Sequence, residues 1–247
     1  MPDNPVVSII TVVYNAEKHI QQAMDSVFNQ TYKNIEYIIV DGASKDNTVN
    51  IIKNNESRIA KWVSEKDKGI SDAFNKGIKM CTGEIVGLVN ADDWLEPNAI
   101  ELAVQNFENA DIVYGDIRFW HREKPTVRVH SDHSRLRTGM TVAHPACYVK
   151  LWVYKKLGTF DTQYKVAMDY ELLLRFFQNG IRFEKVDAIF ANMRTEGNSD
   201  KRWKLGIEEE LKIKGKYFSK TGNLYHFVRQ YAIFTIKDVL RKFNYHR

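Results

Sequence analysis

Four times in its first 95 residues this chain runs an apolar, β-forming stretch straight into a carboxylate or an amide. Residues 6–13 lead into Tyr14 and Asn15, and residues 35–40 into Asp41. Residues 59–64 lead into Glu65, Lys66 and Asp67, and residues 85–89 into Asn90, Ala91, Asp92 and Asp93. The segments between have helical spacing. Ile20, Ala23, Met24, Val27 and Phe28 form one apolar stripe; Ile70, Ala73, Phe74, Gly77 and Ile78 form another. Such alternation predicts an α/β chain with a mostly parallel sheet and helices on both faces. All four polar endings then fall at the carboxyl ends of the strands, the edge where open α/β sheets bind ligands.

The rest of the chain reads less regularly. Asp46, Asn47 and Thr48 are placed to cap a helix, Gly83 to end one, and Pro97 to open one that reaches residue 109. Strands are expected at 111–117 and 125–130. Residues 131–147, polar and basic with Arg135, Arg137, Gly139 and His144, read as a mobile loop. Helices follow at 149–157 and 170–178, a strand at 183–190, a turn-rich stretch at 194–200, and helices at 203–218 and 224–243.

Composition narrows the class. With 247 residues and 44% apolar content the chain can bury a full core. It has no apolar run of membrane-spanning length. Met1-Pro2-Asp3-Asn4-Pro5 has neither the basic start nor the apolar stretch of a signal peptide. Cys81 and Cys147 make no disulfide framework and have no metal-ligand spacing, so a reduced, cytoplasmic setting is expected. The net charge of +5 is uneven: residues 201–247 hold twelve Lys and Arg against four acids, which leaves the first 200 residues at −3. No nucleic-acid-binding motif accompanies that charge, and no nucleic-acid partner is expected.

Asp92 and Asp93 carry the sharpest chemical signal. Two adjacent carboxylates after a buried strand suit a hard divalent cation, Mn²⁺ or Mg²⁺, which takes oxygen ligands and leaves positions open for phosphate. The alternative is a helix N-cap. Asp41 heads a Gly-containing turn, where its carboxylate can accept from the imide N–H of uracil or thymine; the alternative is an Asx turn. Asp67, just before Gly69, has capping as its alternative too. Three caps on one edge, rimmed by Asn15 and Asn90, would be an odd coincidence. No G-x-G-x-x-G and no P-loop follows the first strand, so a diphosphate bound here needs a cation as counter-charge.

Residues 8–15, 40–48, 64–70, 75–77 and 90–93 resemble, in combination and in order, the motifs of glycosyltransferase family 2. The match is nearest to small bacterial transferases of O-antigen, capsule and colanic-acid-type polysaccharide assembly, and it covers about residues 5–200. The resemblance implies a GT-A fold, a nucleotide-sugar donor, a divalent cation and inversion at the anomeric carbon. It makes Tyr14, Asn15, Asp41, Asp67, Asn90, Asp92 and Arg194 nucleotide-sugar-binding residues, with Asp41 on the base and Arg194 near the diphosphate. Asp93, with Asp92, becomes the metal ligand. Asn90 stands where the family usually has an acid, which removes one charge. Asp169, in a segment that ends at Arg175, falls where the family has its general base; the alternative is again a helix N-cap. Glu171 is the second candidate for that role, and with His144 it is assigned to the acceptor or sugar pocket.

The expected organisation is a transferase domain over residues 1–200 and a basic, aromatic helical tail over 201–247. The expected activity is metal-dependent transfer of a hexosyl or N-acetylhexosaminyl group, UDP-linked at the donor, to a glycan or polyprenyl-diphosphate-linked acceptor. A basic amphipathic tail can lie on the inner face of the cytoplasmic membrane; a core-packing helix pair or a homodimer contact is the alternative. Two other activities compete. A sugar nucleotidyltransferase would need a Gly-rich basic N-terminal signature that this chain lacks. A nucleotide-sugar-binding scaffold without catalysis is disfavoured by the intact Asp41, Asp92, Asp93 and Asp169.

Overall fold

A computed structural model describes residues 4–195 and 202–219 of the chain. Strands β1 (Val7–Val13), β2 (Ile35–Asp41), β3 (Lys61–Ser64) and β4 (Ile85–Asn90) lie parallel in the spatial order β3-β2-β1-β4. Helices α1 (Ile20–Phe28), α2 (Thr48–Asn54) and α3 (Ile70–Met80) connect them. β1 is buried along its whole length, and its alternate residues enter two different cores. Ile10 and Val12 pack with Phe74 of α3, while Val7, Ile9 and Val13 pack with Ile20 and Met24 of α1. Gly77 lets α3 sit down on β1, because a Cβ there would lie 2.5 Å from Cγ2 of Ile10.

The second half completes the sheet in mixed orientation. After β5 (Trp94–Leu95) and α4 (Ala99–Gln105) come β6 (Ile112–His121), β7 (Lys124–Val129) and β8 (Cys147–Lys150). Then follow α5 (Leu151–Leu157), α6 (Met168–Gln178), β9 (Phe183–Arg194) and α7 (Trp203–Tyr217). β8 runs antiparallel between β4 and β6, β9 parallel to β6, and β5 antiparallel to β9, giving a nine-stranded sheet among the described residues. β7 forms a hairpin with β6. This is the GT-A-type α/β architecture with helices on both faces. α7 belongs to the packed body, with Ile207 and Ile213 buried.

Several elements differ from the expected ones. Residues 147–150 form a strand that takes in the first two positions of the helix expected at 149–157, because Tyr148 and Val149 are gripped between β4 and β6. Trp94 and Leu95 pair with β9, and α4 begins only at Ala99, past Pro97. β9 runs on to Arg194, since Trp120 of β6 keeps it paired to that point. The stretch 131–147 is tied down rather than free. Ser131 N donates to Asp116 Oδ1 (2.9 Å), His133 meets the Tyr114 hydroxyl (2.7 Å), and the Tyr170 hydroxyl donates to Leu136 O (3.0 Å). The helix expected at 224–243 and most of the turn at 194–200 lie outside the described residues. Among the described residues no helix is long and apolar enough to cross a membrane.

Candidate active site

The parallel strands end together, and a cleft of about 610 Å³ opens where they end. It is lined by Tyr14, Asn15, Asp67, Asn90, Asp92, Asp93 and Arg194 among the expected residues; Asp41, His144, Asp169 and Glu171 are not in its lining.

Asn15 adopts a left-handed backbone conformation (φ 49°), which asparagine tolerates better than most residues. In that position its N–H donates to Ser44 Oγ (2.8 Å) and its Oδ1 accepts from Lys45 N (2.7 Å), fastening the loop after β1 to the loop after β2. Ser44 in turn bonds Asp41. The Asp41 carboxylate is fully buried and also accepts from Ser44 N (3.0 Å) and Ser64 Oγ (2.5 Å). The Asp41 carboxylate thus helps to build the turn after β2, behind the residues that line the cleft. Tyr14, 60% exposed at the same edge, offers an open aromatic face. Asp67 Oδ1 accepts from Gly69 N (2.8 Å), and a Cβ on Gly42 would lie 2.5 Å from Asp67 Oδ2, so only glycine leaves room for the carboxylate there.

The acidic floor is Asn90, Asp92 and Asp93. None caps a helix, since the N-cap of α4 is Asn98. Asp93 is buried and accepts from Asn90 Nδ2 (2.8 Å). Burial, and after it the adjacent Asp92 charge, pushes the Asp93 carboxyl well above the usual carboxylate range. Asn90 Oδ1 is buried without a hydrogen-bond partner among the described residues. Two carboxylates and an unsatisfied amide oxygen form a donor set that fits a hard divalent cation. Arg194 flanks this floor: Nη1 donates to Asp92 O (2.7 Å), Nη2 to Gln22 Oε1 (2.5 Å), and the guanidinium lies 4.7 Å from the Trp94 ring centroid.

Beside the cleft, His144 Nδ1 and Asp169 Oδ2 are 3.3 Å apart. His144 opens a short 3-10 turn (His144–Ala146) that packs against β4, and its ring meets Phe74 edge-on next to the cleft residue Ala73. His144 Nε2 is buried without a partner among the described residues. Asp169 lies within the first turn of α6, whose N-cap is Ala167, so the capping alternative is not realised. Glu171 is buried in a bidentate pair with Arg175 (3.1 and 2.9 Å), and Arg175 also holds the carbonyls of Leu157, Gly158 and Thr159. Two residues along a helix turn a side chain by about 200°, so Glu171 is directed away from Asp169 and braces α6 against the end of α5.

The sequence reading missed Phe119 and Met193, which line the cleft from β6 and β9. Both are far along the chain from the strand-end motifs, and their only signal is alternation within those strands. It also missed Asp116, His130 and Asp187, whose ligand atoms lie within 4.8 Å of one another. There the buried Asp116 already faces Arg128 (2.8 Å) and Lys185 (3.5 Å), so the cluster is a neutralised ion network.

The family model described as glycosyl transferase family 2 matches residues 8–171. Chondroitin synthase of Escherichia coli is 29% identical over 230 residues, which cover 88% of this chain and 33% of that protein. Hyaluronan synthase of Pasteurella multocida is 28% identical, covering 83% of this chain and 22% of the synthase. The chain thus spans a third or less of either synthase. An uncharacterized glycosyltransferase of Rickettsia typhi is 33% identical, over 71% of this chain and 59% of its own length. Among solved structures, S. aureus TarS 1-349 in complex with UDP-GlcNAc superposes with a TM-score of 0.69 at 15% identity, over 91% of this chain and 71% of that one. The mannosyltransferase PcManGT from Pyrobaculum calidifontis, with GDP-Man and Mn²⁺, gives 0.68 at 16%, over 94% and 70%. At these identities the two structures speak for the fold.

Proposed function

This chain belongs to glycosyltransferase family 2, and from that premise we propose that it is a metal-dependent inverting transferase. It moves a hexosyl or N-acetylhexosaminyl group from a UDP-sugar to a glycan or polyprenyl-diphosphate-linked acceptor in polysaccharide synthesis. The observation that carries the reading is the convergence of Asp67, Asn90, Asp92, Asp93 and Arg194 on one cleft, with the Asp169–His144 pair beside it. The polysaccharide context draws support from the two synthases named above. The choice of uracil rests on the resemblance of residues 40–48. The fold itself accepts either purine or pyrimidine donors, since its neighbours hold UDP-GlcNAc and GDP-Man.

In this reading Tyr14 and Asp67 hold the nucleoside end, and Asp92, Asp93 and Asn90 would hold Mn²⁺ or Mg²⁺, which would supply counter-charge for a departing diphosphate. Arg194 adds its own positive charge beside them. Asp169 accepts the acceptor hydroxyl proton as the oxygen attacks the anomeric carbon, and the C–O electron pair leaves with the nucleoside diphosphate. His144 orients the Asp169 carboxylate. The basic surplus of residues 201–247 suits an anionic membrane surface that would present a polyprenyl-linked acceptor.

Calorimetric titration of UDP with Mn²⁺ tests the site. Asp93→Ala should abolish the metal-dependent part of UDP binding, and EDTA should stop slow hydrolysis of the correct UDP-sugar by the parent. Equal binding of UDP, dTDP and GDP to parent and variant would move the donor site elsewhere.

A further inference from the structure

Two charged side chains of α7 are buried: Glu209 is 4% and Lys214 2% exposed. Such groups go inside only when they are partnered. The partners of Glu209 are backbone amides. Its Oε1 accepts from Lys165 N (2.8 Å), and its Oε2 from Val166 N and Ala167 N (2.9 Å each). Three successive N–H groups converging on one carboxylate form a charge-assisted anion nest. The turn they make runs directly into α6, where Ala167 has no side chain with which to cap and Asp169 stands in the first turn.

Lys214 reinforces the same place. Its Nζ donates to Thr138 O (2.8 Å) and Glu210 (2.6 Å) and lies 5.8 Å from the Tyr170 ring centroid. The helix therefore also fastens the stretch that carries His144. Close approach is possible because residue 206 is glycine: a Cβ there would come within 3.1 Å of Val166 Cγ1.

We propose that Glu209 is a positioning residue for sugar transfer: by gripping the 165–167 turn it holds the Asp169 carboxylate against His144, in place to take the acceptor proton. This rests on the reading of Asp169 as the base. A displacement of about 1 Å at a reacting group is enough to cost about 10²-fold in rate. The donor-holding residues sit on β4 and the loop after it, on β9, and on the loops after β1 and β3, whereas Glu209 hydrogen-bonds to the 165–167 turn.

The test uses the full chain and measures kcat and KM for transfer, UDP affinity with Mn²⁺, and melting temperature. Glu209→Ala should lower kcat by about 10²-fold and leave UDP affinity unchanged. Glu209→Gln, which keeps one accepting oxygen, should fall between Glu209→Ala and the parent. Because Glu209 acts through Asp169, the double variant with Asp169→Asn should be no slower than Asp169→Asn alone. Parent-like transfer by Glu209→Ala beside a slow Asp169→Asn overturns the proposal, as do losses that multiply in the double variant or UDP affinity that falls together with kcat. Parent-like transfer by Asp169→Asn overturns the base reading itself, and the positioning role with it. If Glu209→Ala shows no cooperative melting transition, Glu209→Gln is judged by the same criteria.

Discussion

Asp169 and Glu171 are two residues apart and chemically alike, yet the pitch of α6 sends them into different surroundings. Asp169 meets His144 at the edge of the sheet, while Glu171 is locked to Arg175. Their substitutions should therefore differ in kind. Asp169→Asn keeps the volume and can still accept from Tyr170 N (2.8 Å), so folding and UDP binding should survive. An amide takes no proton, and kcat for transfer should drop by about 10²–10⁴-fold. Glu171→Gln removes one partner of a buried ion pair, a change that costs about 3–5 kcal/mol. It should lower the melting temperature by many degrees while the folded fraction transfers at close to the parent rate. Melting curves and kcat for both variants decide; the reverse pattern would exchange the two assignments.

Glu36 shows how one residue ties elements together. Its carboxylate on β2 accepts from Ser8 Oγ on β1 (2.6 Å), Lys61 Nζ on β3 (2.6 Å), and Thr82 N and Oγ1 after α3 (2.8 Å each). Burial alone would raise its pKa, but the hydrogen bonds from Lys61, Ser8 and Thr82 prevail and bring it down to about 2 from an ordinary 4.5. A carboxyl depressed by folding contributes stability that is present above the unfolded value and lost as pH falls through the folded one. The melting temperature should therefore decline between about pH 4.5 and about pH 2, and Glu36→Gln should flatten that part of the curve. An unchanged profile in the variant would assign acid sensitivity to another carboxylate. β1, β2 and β4 were legible in the sequence because each is a largely apolar run buried along nearly its whole length, and β3, only partly buried, because it too leads into acidic residues. β8 and β5 were not: four and two residues long, they are strands only because longer partners lie beside them.

At the scale of the whole molecule, the cleft was legible where its residues end local strands and illegible where distant elements complete it. Tyr14, Asn15, Asp67, Asn90, Asp92 and Asp93 all lie at a strand's last residue or within three residues after it. Asp41 does too, but its burial depends on Ser44 and on Ser64, 23 residues downstream. No local pattern announces that. The role of residues 202–219 was hidden for the same reason. A basic, aromatic tail and a helix that completes the core look alike until Glu209 is seen meeting the 165–167 turn. Ending the chain at residue 200 would expose the core around Ile207 and Ile213 and leave three amides without their carboxylate. Each buried N–H left unpaired costs about 1–3 kcal/mol, and each buried isoleucine contributes about 1.5–3 kcal/mol. Together these rival the whole stability of an ordinary domain, about 5–15 kcal/mol. A chain of residues 1–200 should thus melt far below one of residues 1–219 or lack a cooperative transition altogether. Equal melting temperatures for the two would mean that α7 docks onto a body already complete without it.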